Sequence, residues 1–132
     1  MIRTFRFLAR NGMLNHRYGR LLWRYSWRRL LTLPGLVSVR SAGSPQGLSV
    51  GYDDLLDTAS SDPRIAALLM PGGGLLGEHV PWFVRAGVRQ FHLGVQARPG
   101  ATHKSYVDAG HVRSWRLLLD SAVDRSAGSA VG

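Results

Sequence analysis

The chain has no cysteine. That absence excludes disulfides, thiolate metal sites and cysteine nucleophiles in one step. Acidic residues are missing from residues 1–52, which carry nine arginines. Lysine occurs once, at Lys104, against sixteen arginines. No stretch reaches the roughly 18 uninterrupted apolar residues of a membrane-spanning helix. No RNP motif, zinc-ligand spacing or convincing helix-turn-helix pattern marks a nucleic-acid module.

What remains is enough for one domain. The 132 residues are 45% hydrophobic, which supplies a core and argues against wholesale disorder. The net charge is +9, and all of it lies in the first 52 residues. Residues 53–132 hold seven Arg and one Lys against eight acids, which cancel.

The stretch from Arg64 to His92 organises the rest. Ile65 to Met70 is a short apolar run stopped by Pro71 and three glycines. Such a run predicts a buried strand. Glu78 to Ala86 has helical spacing, with Val80, Phe83 and Val84 inward, and Gly87 as the stop. Val88 to Val95 reads as the next strand. Strand, glycine loop, helix and strand make a βαβ unit. Ligands of parallel α/β folds bind at the carboxyl ends of the strands, where this loop lies.

The rest of the chain continues the pattern. Residues 2–7 and Leu36 to Arg40 read as strands. Tyr18 to Leu33 reads as a basic amphipathic helix, with Leu21, Leu22, Tyr25, Leu30 and Leu31 on one side and arginines mostly on the other. Its Trp23 and Trp27 suit either a membrane interface or packing on a neighbour. The helix itself reads as a solvated face, a contact for anionic lipid or nucleic acid, or a targeting segment. A helix follows from Val50 to Ala59, with Leu55 and Leu56 inward, and ends before Pro63. Residues 96–105 form a loop, and Ala109 to Val123 a last helix with Val112, Trp115, Leu118 and Leu119 as its stripe. Residues 1–125 therefore read as one α/β domain with a parallel sheet, and 126–132 as a disordered tail.

Four segments carry a family resemblance: LPGLVSVRSAGSP, MPGGG, AGVRQFH and YVD, in this order before the last helix. They resemble the carboxyl-terminal half of the CutC-type copper homeostasis family over about residues 30–123. Members of that family are (β/α)8 TIM barrels. The resemblance implies a half-barrel of four parallel β/α units, a cytoplasmic location and copper as the bound ion. There are departures. The family's Thr-Phe-His-Arg-Ala-Phe-Asp strand faces Thr4 to Arg10, with Arg6 and Arg10 at the His and Asp positions. Its Ser-Gly-Gly turn faces Ser41-Ala42-Gly43. The family's first four units have no counterpart, and a full barrel takes about 200 residues or more. Four strands alone leave an open sheet with an uncovered apolar layer. The expected outcomes are a homodimer, a partner chain that completes the barrel, or the remnant of a longer gene.

The candidate ligand-binding residues are Ser41, Gly43, Gly72, Gly73, Gly74 and His92. Glycine N–H groups ahead of a helix suit an anion such as phosphate. The alternative is a tight turn without a ligand. His92 suits ligand contact or acid–base work, or else hydrogen-bonded packing. The copper expectation rests on the resemblance. Cu(I) favours sulfur, but Met13 and Met70 are far apart in sequence, and His79, His92, His103 and His111 lack metal-motif spacing. Asp53, Asp54, Asp57 and Glu78 read as solvated acids, and no carboxylate pair or Ser-His-Asp set is visible. The sequence therefore assigns no catalytic residue. Three functions stay open: CutC-like copper homeostasis, a phosphate-binding barrel enzyme fragment, and a basic peripheral module.

Overall fold

The structure, a computed structural model, describes residues 3–6, 25–94, 98, 100 and 106–131. Strand β1 (Arg3–Arg6) pairs in parallel with β2 (Leu36–Ser41), and β2 pairs in parallel with β3 (Leu69–Pro71). The sheet order is β1-β2-β3. Helical residues 25–31 form the described part of α1. Helix α2 (Leu48–Ser61) and the short α3 (Pro63–Leu68) lie between β2 and β3. A 3-10 turn (Gly77–His79), α4 (Val80–Arg85) and the long α5 (Ala109–Val131) follow. The fold is mixed α/β around a small parallel sheet.

Register fixes the two faces of the sheet. Val39 lies opposite Phe5 and Leu69, so these positions share one face. Val39 and Leu69 are fully buried, with Trp27, Leu55, Ile65 and Phe83 in the same core. Arg40 lies opposite Arg6 and Met70, which puts those three positions on the other face.

Local chemistry explains most element ends. Asp62 caps α3: its Oδ1 accepts the Arg64 N–H at 2.9 Å, and Pro63 occupies the first turn, where no donor is lost. Helix α4 closes in a Schellman arrangement around Gly87, which has φ 102°. The Val88 N–H bonds Phe83 O at 2.9 Å and the Gly87 N–H bonds Val84 O at 3.0 Å. Arg89 adds its guanidinium to the Val84 and Val88 carbonyls.

Several expectations need correction. Ile65 to Leu68 is helix rather than strand, and β3 spans only Leu69–Pro71. The Asp62-Pro63 start, followed by Ala66 and Ala67, makes a helical turn before the chain enters the sheet. The segment from Val88 to Gly94 forms no regular strand. A three-residue β3 offers it a short ladder, and the His92 N–H to Pro71 O bond at 2.9 Å is its backbone link there. Helix α5 continues through Val131, past the Ser126 where a disordered tail is expected. The Arg116–Asp120 ion pair is of the i,i+4 kind that supports it. Tyr25 is 60% exposed, while Trp27 is fully buried, so Trp27 packs in the core. Trp23, the earlier part of that helix, and His103 lie outside the described residues, as does most of the 96–105 loop.

Candidate functional site

The glycine loops after β2 and β3 meet at the carboxyl ends of the strands. β2 ends at Ser41, whose carbonyl accepts the Gly72 N–H at 3.1 Å. Its hydroxyl accepts the Gly43 N–H at 3.0 Å, so Ser41 ties down its own turn. Gly43 has φ 73° and sits against α2 at Gly51. A Cβ on Gly51 would lie 2.2 Å from Ala42 O, so only a glycine fits this crossing. Gly47 then starts α2, and the Leu48 N–H donates to Gly73 O at 2.8 Å. One loop is thus bonded to the other through the first residue of α2.

Gly72 is the close-packed point of the site. A Cβ there would lie 2.8 Å from His92 Cβ and 3.3 Å from Arg40 Nε. A guanidinium and an imidazole therefore converge on one glycine at the strand ends. Gly73 and Gly74 follow with φ 86° and 94°, and both are exposed. Among the described residues, their N–H groups donate to no protein acceptor. Exposed glycine N–H groups that follow a residue packed against a guanidinium are a suitable environment for an oxyanion.

The six residues singled out from sequence are brought together, in two roles. Ser41 and Gly43 shape the first loop from buried or half-buried positions, whereas Gly72, Gly73, Gly74 and His92 border the strand ends. Arg40, Gly47 and Gly51 escape the sequence reading. The signal for Arg40 is present, because it is the last side chain of LVSVR before a small-residue turn and alternation sends it to the face opposite Val39. The Gly51 crossing has no sequence signal, since it depends on how α2 returns over the turn.

His79 completes the second loop. It is 7% exposed, and its ring stacks on Tyr52 with centroids 4.5 Å apart and 27° between planes. Its Nδ1 accepts the Leu76 N–H at 3.1 Å. Burial pushes its pKa below the ordinary value of 6.5, against the opposing pull of Glu78. Burial also raises the Tyr52 hydroxyl pKa, with Asp53 and Glu78 adding to it. Asp108 and His111 form a separate exposed pair at the start of α5, where Asp108 Oδ2 takes both the His111 N–H at 2.9 Å and the ring at 2.8 Å. That pair caps a helix. Among the described residues, no three His, Asp or Glu side chains gather as a metal site. No helix among them is long and apolar enough to cross a membrane.

No protein-family model, curated protein or solved structure matches this chain.

Proposed function

We propose that the chain is a half-barrel of the CutC type whose two glycine loops bind a small oxyanion, a phosphate group above all. One observation carries this reading: Arg40 Nε and His92 converge on Gly72, beside the open N–H groups of Gly73 and Gly74. The arginine supplies charge and a directed donor. The glycines let the backbone approach the ligand closely. The carboxyl ends of parallel strands are the usual ligand position in such folds.

Copper binding has less support. The candidate ligands would be His92 and Met70, with sulfur from Met70 suited to Cu(I). The observed neighbours of Gly72 are one imidazole and one guanidinium, and a guanidinium repels a cation. The peripheral reading keeps Arg28 and Arg29, which are exposed on α1, but loses Trp27 to the core.

Calorimetric titration with inorganic phosphate separates these readings. The anion reading expects saturable binding that weakens about tenfold or more in Arg40→Gln, the scale of one charge-assisted contact. Stoichiometric Cu(I) uptake with no phosphate binding would favour the metal reading and overturn the anion one.

A further inference from the structure

The loop that joins Gly74 to α4 is tied to a neighbouring histidine. Both main-chain groups of Leu76 are held by His79. The Leu76 N–H donates to Nδ1 at 3.1 Å, and Leu76 O accepts the His79 N–H at 3.0 Å. The imidazole in turn stacks on Tyr52 of α2. At the other end of the same loop, Gly73 O accepts from Leu48, the first residue of α2. The glycine loop is thus fastened to one helix at two points, and one of them is a titratable ring.

An N–H can only donate, so the bond from Leu76 requires an unprotonated Nδ1 and places the ring proton on Nε2. Protonation would set a second N–H against the first. The surroundings give the imidazolium little compensation. Glu78, on the turn itself, is the acid that favours the charged form. From α2 the ring meets the Tyr52 hydroxyl side chain, with Asp53 next along the helix. Nearby, Phe83 of α4 stands edge-on to Tyr52, and Leu118 of α5 approaches Gly77.

We propose that His79 is a proton-operated latch on the glycine loop, holding residues 74–79 against α2 when neutral and releasing them when protonated, with the Leu48–Gly73 bond as the fixed end. This rests on the anion-site reading for its consequence, since release beyond Gly73 would displace the Gly74 donor, but the latch itself is a property of the loop. A fall in affinity on acidification that His79→Asn abolishes belongs to His79.

The test is amide hydrogen exchange on the full chain, followed by NMR from about pH 7.5 to about pH 5, across the ordinary histidine range. The Leu76 protection factor is expected to fall at least about tenfold, with a midpoint equal to that of the His79 ring resonance, while Leu55 in the core stays protected. In His79→Asn, the side-chain oxygen can accept the same N–H without titrating, and Leu76 protection should stay flat. Sulfate keeps its charge over this range, and its affinity should fall in the wild type but not in the variant. Unchanged Leu76 protection in the wild type would overturn the latch, as would an equal fall in the variant. Loss of protection without sulfate binding at any pH would support the latch and contradict the anion reading.

Discussion

At the residue scale, the site depends on glycines that admit no side chain. Gly51 is the strictest, because the atom that a methyl would meet is the Ala42 carbonyl and not a movable side chain. Gly51→Ala should cost roughly 1–3 kcal/mol, as overpacking does. Urea unfolding measures this, and Gly128→Ala, where nothing lies near the added carbon, is the control expected to be silent or stabilising. His79 makes a second residue-scale prediction. Its native pKa lies below 6.5, so below that pH the unfolded chain binds more protons than the native one. Its contribution to stability is complete above pH 6.5 and declines as pH falls toward the native pKa. The urea midpoint should drop between those limits, and part of that drop should vanish in His79→Asn.

At the element scale, helices with clear punctuation were legible in the sequence. Val80, Phe83 and Val84 are buried, and Gly87 ends α4 through the two bonds that its left-handed backbone permits. Leu55 is fully buried and Leu56 half-buried on α2, although that helix extends two residues beyond each predicted end. The strands were harder. Ile65 to Met70 has the apolar content of a strand, yet Asp62 and Pro63 start a helix there, and burial of Ile65 and Ala66 is met by one helical face. A short apolar run cannot distinguish the two, and the cap decides. Val88 to Gly94 has β-forming residues, but a ladder needs a partner strand, and the β3 beside it is three residues long. The candidate site was legible as glycines and a histidine after strands. Arg40 and the Gly43–Gly51 crossing were not, because both depend on register and on the path of α2.

At the scale of the whole molecule, three parallel strands carry helices against the Val39–Leu69 face, while Arg6, Arg40 and Met70 occupy positions on the other. If the half-barrel proposal holds, that second face needs a cover. Pairing of two copies predicts a solution mass of twice 14.5 kDa by light scattering, whereas a monomer of 14.5 kDa with cooperative unfolding would show that one copy suffices. Arg40, from the arginine-rich first part of the chain, stands beside the Gly72 loop at the strand ends. If this junction holds an oxyanion, a phosphate titration followed by amide NMR gives saturable shifts at the Gly73 and Gly74 amides, lost in Arg40→Gln. Saturation with no shift at either glycine, or shifts unchanged in Arg40→Gln, would contradict it.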